Sequence, residues 1–120
     1  MKKYYVYVGQ LSKDFAKTKK AKKKNNDANL NKSCLYVGHS DKPPRKRWKQ
    51  HLEKARNNKG KLYSNVAAEY GENYIHWKKF QRYNPLRTRK EAERLEEKIA
   101  KKYRDKGFTV WSDKLPFIEN

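Results

Sequence analysis

Residues 4–9, Tyr4-Tyr5-Val6-Tyr7-Val8-Gly9, and residues 34–40, Cys34-Leu35-Tyr36-Val37-Gly38-His39-Ser40, are aromatic and β-branched, and the second leads on to Arg47-Trp48-Lys49-Gln50-His51-Leu52. Both segments read as strands. Asp41-Lys42-Pro43-Pro44 punctuates the chain after them. Proline at a helix start gives up an amide donor that would be unpaired anyway, so a helix is expected over residues 45–57, ending near Asn57-Asn58-Lys59-Gly60. Trp48, Leu52 and Ala55 recur at helical spacing as its apolar stripe. Arg47 and His51 are four apart, so they share a face beside that stripe and look toward the strands.

Between the two strands, residues 13–32 carry Lys17-Thr18-Lys19-Lys20-Ala21-Lys22-Lys23-Lys24 and then Asn25-Asn26-Asp27-Ala28-Asn29. Few of these residues look able to anchor a core, and the stretch reads as a mobile, Lys-rich insertion in a long hairpin connection. Residues 61–70 suggest a short second helix stopped by Gly71. Tyr74-Ile75-His76-Trp77-Lys78-Lys79-Phe80 has the content of a third strand, closed by Asn84-Pro85. The last helix announces itself with the capping box Thr88-Arg89-Lys90-Glu91 and should run to about Lys106. Its apolar stripe is Ala92, Leu95, Ile99 and Tyr103, and Glu96 falls inside that stripe. A buried carboxylate without a partner costs several kcal/mol or shifts its pKa, so Glu96 needs a cation or another reason. Phe108-Thr109-Val110-Trp111 can add a short terminal strand, and Leu115-Pro116-Phe117-Ile118 reads as a capping segment.

A chain of 120 residues fits one domain. Its net charge of +19, from 32 Lys and Arg against 13 Asp and Glu, surrounds it with a positive field and points to a polyanionic partner. Nucleic acid fits better than membrane: no apolar run approaches the ~20 residues of a spanning helix, and neither a lipidation signal nor a signal peptide is visible. Nine Tyr, four Phe and three Trp argue against a disordered polycation. Cys34 is the only cysteine, expected reduced and in the core of a cytoplasmic protein.

Taken together, Tyr5-Val6-Tyr7, Tyr36-Val37-Gly38, Arg47 and His51, and Ala92-x-x-Leu95-Glu96-x-x-Ile99 resemble the motifs of the GIY-YIG nucleases, over residues 4–103 without the Lys-rich insertion. Tyr5-Val6 stands where that family has Gly-Ile, and Val37 replaces the second Ile. The resemblance implies an α/β (α+β) fold with a central antiparallel three-stranded sheet in ββαβα order, with room for a short C-terminal strand. It makes Tyr7 the tyrosine of the first motif, with Tyr5 as its rival, and Tyr36 that of the second. Glu96 becomes the ligand of one divalent cation, Mg²⁺ or Mn²⁺.

Hydrolysis of a phosphodiester asks for these residue types: an activated water, neutralisation of the phosphate oxygens, and help for the departing 3′ oxygen. Arg47 would clamp the phosphate through its planar fork. Tyr7 is the candidate general base, which at neutral pH needs cations nearby, since a free phenol titrates near ~10. Tyr36 would orient water or phosphate, and His51, with His39 as a second candidate, would relay a proton. Lys19, Lys20, Lys22, Lys23, Lys24, Arg45 and Lys49 would contact the backbone of a nucleic acid, DNA rather than RNA. With so small a chain, target choice can call for a partner protein. Read alone, each residue has a plainer role: a strand tyrosine packs a core, a helix arginine faces water. The alternative is a non-catalytic basic module that binds RNA or the ribosome, for which Glu96→Ala would change nothing.

Overall fold

The computed structural model describes residues 2–113. Two antiparallel strands, β1 (Tyr5–Leu11) and β2 (Cys34–Ser40), form the centre, with Tyr7 opposite Gly38 and Gly9 opposite Tyr36. Val6, Val8, Leu11, Leu35 and Val37 are fully buried on the two faces of this pair, which is why both segments read as continuous apolar runs rather than as alternating ones. A short strand β3 (Gly71–Ile75) pairs antiparallel with β1, and β4 (Thr109–Trp111) pairs parallel with β2, giving the order β3-β1-β2-β4. The expected antiparallel three-stranded sheet is present as β3-β1-β2, and the short C-terminal strand β4 joins it in parallel, because the chain leaving the last helix returns beside β2 in the same direction.

The helices are α1 (Lys19–Lys24), α2 (Pro44–Leu52), α3 (Asn65–Tyr70) and α4 (Arg89–Asp105). Thr88 and Glu91 form the expected reciprocal cap at the start of α4. Buried Ala92, Glu96, Ile99 and Tyr103 lie on one face of α4, so the carboxylate does stand in the apolar stripe. α2 is shorter than residues 45–57: Lys54 takes a positive φ of 57° and turns the chain away before Gly60 is reached. α3 begins only at Asn65, where the Ser64 hydroxyl accepts from the Ala67 amide.

Two further expectations fail for identifiable reasons. The aromatic stretch 74–80 is not a strand after Ile75: Trp77–Lys79 and Gln81–Tyr83 are 3₁₀ turns, and Phe80 is fully buried with its ring 5.2 Å from that of Trp77. The aromatics there close the end of the core instead of alternating across a sheet. The Lys-rich insertion is not a loose loop either. Phe15 is fully buried against the rings of Tyr70 and Trp111, Thr18 caps α1, and Ala21 is buried beneath it. Asn25, 6% exposed, donates through Nδ2 to the Ala21 and Val110 carbonyls and accepts at Oδ1 from the Val110 amide and Arg104 Nε. One asparagine thus serves as a strand partner for β4. Lys20 and Lys24 lie 5.6 and 4.7 Å from the centre of the Trp111 ring, within cation–π range. Cys34 is buried, as expected. Among the described residues no helix is long and apolar enough to cross a membrane. The stretch 115–118 lies outside the described residues.

Candidate active site

Four elements converge on one open cavity of about 160 Å³, to which β1 contributes Tyr7, β2 Tyr36, Gly38 and His39, α2 Arg47 and His51, and α4 Glu96. Tyr63 and Asp113 complete its lining. Strand alternation presents Tyr7 here, and its ring lies 6.0 Å from that of Tyr36 and 6.4 Å from that of Trp48, which backs both. Gly38 allows the two phenols to meet, since a Cβ there would lie 2.7 Å from the Tyr7 hydroxyl and 2.8 Å from the Tyr36 ring. Tyr5 is half-buried, paired with Ser40, and does not line the cavity.

The polar groups are paired in an ordered way. The Tyr7 hydroxyl is 2.8 Å from His51 Nε2, and His51 Nδ1 is buried without a hydrogen-bond partner among the described residues. The Tyr36 hydroxyl donates to Asp113 Oδ2 at 2.7 Å. Glu96 is 2% exposed; its Oε1 lies 2.5 Å from His39 Nδ1, and its Oε2 accepts from the Ser112 hydroxyl. His39 Nε2 also reaches Glu93 at 3.9 Å. The Arg47 guanidinium stacks 4.0 Å above the Tyr63 ring and approaches Asp41 at 3.7 Å. Its Nε is buried with no acceptor among the described residues.

Burial pushes the Tyr7 phenol far above its ordinary pKa; Arg47 pulls it down and Glu96 and Asp113 push it further up. Tyr36 is raised for the same first reason, with Tyr7 and Asp113 adding to it. Burial, helped by Arg47 and opposed by Asp113, lowers His51 to about 4. Between an unfolded pKa of about 6.5 and that value the unfolded chain takes up a proton that the folded chain refuses, so acid favours unfolding there. The urea midpoint should accordingly rise from pH 4 toward pH 6.5, and His51→Gln should flatten that rise relative to the wild type. His76, lowered to about 4 by burial and then Lys79, leaves a residual slope in the variant.

Lys19, Lys20, Lys22, Lys23, Arg45 and Lys49 are exposed and Lys24 half-buried; none lines the cavity. Arg45 lies over Trp77 at 5.3 Å and Lys49 is 3.9 Å from Glu53, so both have local partners. Sequence reasoning passed over Tyr63, Ser112 and Asp113. Tyr63 stands in a stretch read as helix, with no local signal. Asp113 becomes visible only once β4 is known to run parallel to β2, which carries the chain toward the Gly38 end of the cavity.

The family described as the GIY-YIG catalytic domain matches residues 3–109, nearly the whole chain. Among curated proteins and solved structures, none matches it.

Proposed function

The chain belongs to the GIY-YIG family of nucleases, and from that premise we propose that it is an endonuclease hydrolysing phosphodiester bonds of DNA, with one divalent cation bound at Glu96. The observation that carries this reading is the convergence of Tyr7, Tyr36, Arg47 and Glu96, each buried or half-buried, on a single open cavity. A core packed only for stability has no use for a buried carboxylate, an unsatisfied guanidinium donor and two phenols in one place.

Glu96 fits a hard cation. A carboxylate offers about four lone-pair sites, of which His39 and Ser112 occupy one on each oxygen. Among the described residues no cluster of three or more metal-ligating side chains exists; Glu96 would hold the ion as its one carboxylate, which suits Mg²⁺, a cation that keeps several of its waters. When bound, Mg²⁺ or Mn²⁺ supplies neutralisation of the phosphate oxygens and of the departing 3′ oxygen. The chain's own groups do the rest. Arg47, held over the Tyr63 ring and lining the cavity, offers its guanidinium to the phosphate. Tyr7, kept a neutral phenol by burial, takes a proton from the attacking water as its own passes to His51 Nε2, 2.8 Å away. His51 accepts because burial keeps it neutral, with its other proton on Nδ1. The water oxygen bonds to phosphorus as the bond to the 3′ oxygen breaks. None of these steps asks anything of a ribose 2′-hydroxyl, so DNA, which lacks it, meets every requirement of the site.

The test is cleavage of end-labelled duplex DNA, single-stranded DNA and RNA, with analysis of the new ends. Cut DNA carrying 5′-phosphate and 3′-hydroxyl termini is the expected result. Cleavage confined to RNA, leaving 2′,3′-cyclic phosphate, would overturn the reading.

Substrate affinity in this proposal comes from α1 and its neighbours. Replacing the four exposed residues Lys19, Lys20, Lys22 and Lys23 by Gln should weaken DNA binding. It should also make the slope of log K against log salt shallower by up to about 3.6, at about 0.9 for each neutralised phosphate lost. Fluorescence anisotropy across a salt series measures it. Choice of a particular site falls to that basic face and to a targeting partner protein.

A further inference from the structure

β4 pairs with β2 in parallel, Tyr36 beside Trp111, so the next two residues run on toward the same end of the sheet as Gly38, His39 and the cavity. Ser112 and Asp113 lie beyond the residues that match the family, yet both touch its constellation: Ser112 on Glu96, Asp113 on Tyr36. The Asp113 carboxylate is held between two aromatic donors. Trp111 Nε1–H donates to Oδ1 at 2.9 Å and the Tyr36 hydroxyl donates to Oδ2 at 2.7 Å.

That arrangement has a definite chemical consequence. A phenol has one proton and, on its oxygen, lone pairs that accept. Asp113 has no proton of its own to offer as a carboxylate, so the Tyr36 proton must point toward it, and only lone pairs remain turned to the cavity. Such an oxygen can accept from a water O–H. It cannot donate to a phosphate oxygen, which is itself only an acceptor, and would repel it. A second carboxylate beside a phosphate site is otherwise unfavourable, because its charge opposes the substrate.

We propose that Asp113 is a positioning residue that commits Tyr36 to holding the attacking water rather than the phosphate. This rests on the nuclease reading above. Phosphate recognition is left to Arg47 and the Glu96 side of the cavity, and water recognition to the two phenols.

The test compares the full chain with Asp113→Ala, Asp113→Asn, Tyr36→Phe and the double variant Asp113→Ala/Tyr36→Phe. Asp113→Ala should lower kcat about ten- to a hundredfold, the range seen when an outer partner of a site residue is lost. Its KM should stay level or fall, since the freed Tyr36 proton can then meet the phosphate. Asp113→Asn keeps an oxygen that accepts, and should recover part of the lost kcat. In the Tyr36→Phe background Asp113→Ala should lower kcat no further, as expected of a residue acting through that phenol. Without nucleic acid, loss of a carboxylate acceptor should shift the near-ultraviolet tyrosine absorption to shorter wavelength, and this difference should vanish in the Tyr36→Phe pair. A multiplicative loss in the double variant, a raised KM with unchanged kcat, or no tyrosine shift would overturn the proposal. If the wild type cleaves nothing, the nuclease reading falls and the water-holding role with it, while the spectrum alone decides whether Asp113 holds Tyr36.

Discussion

Glu96→Gln is expected to abolish cleavage, a loss of at least about a thousandfold, while leaving the fold intact. The amide has nearly the volume of the carboxylate, and its oxygen and nitrogen can still pair with Ser112 and His39, the two groups that meet Glu96 in the wild type. The charge is what disappears, and Mg²⁺ binds anionic oxygen far better than amide oxygen at a site with so few protein ligands. Glu96→Ala is the poorer probe. It empties volume in the α4 stripe and strands His39 and Ser112, at about 2–5 kcal/mol. Single-turnover cleavage with saturating enzyme, alongside thermal melting of both variants, separates lost chemistry from lost structure. Cleavage by Glu96→Gln at the wild-type rate would remove the carboxylate from the mechanism.

Tyr7→Phe is expected to slow cleavage by about a hundred- to ten-thousandfold, the usual contribution of a positioned acid–base group. The ring stays in contact with Tyr36, Trp48 and His51, so the packing of the cavity floor survives. What goes is the hydroxyl 2.8 Å from His51 Nε2, leaving that buried imidazole without a partner on either nitrogen. The destabilisation should therefore be about 1–3 kcal/mol, visible as a lower melting temperature but far too small to account for the rate. Retention of full activity by Tyr7→Phe would transfer the base role elsewhere in the cavity.

The parts of this molecule that local chemistry dictates were legible in its sequence. β1 and β2 declare themselves through buried Val, Leu and Tyr, and α4 through its Thr88–Glu91 cap and a stripe that includes Glu96. The capping segments were not. Trp77 and Phe80 have strand-forming side chains, but they fill the end of a core, and propensity cannot tell the two uses apart. Residues 13–32 look like solvated polycation because the residues that fasten them are few: Phe15, Ala21 and Asn25 are each buried, and Asn25 does its work by pairing with Val110, eighty-five positions away. The candidate site divides along the same line. Tyr7, Tyr36, Arg47, His51 and Glu96 sit on regular elements whose periodicity places them. Asp113 and Tyr63 arrive from irregular backbone: the place of Asp113 depends on the pairing of β4 with β2, which no local pattern encodes, and Tyr63 meets Arg47 and His51 from a bend with no periodicity of its own.

The proposed role of this cavity is phosphodiester hydrolysis with a divalent cation at Glu96. Its most direct test is incubation of the full chain with supercoiled plasmid in Mg²⁺ and in EDTA, with Glu96→Gln run in parallel. The account predicts nicked and then linear DNA from the wild type in Mg²⁺ only, and unaltered plasmid from the variant. Equal nicking in EDTA or by Glu96→Gln, or tight binding with no nicking in either Mg²⁺ or Mn²⁺, would contradict it.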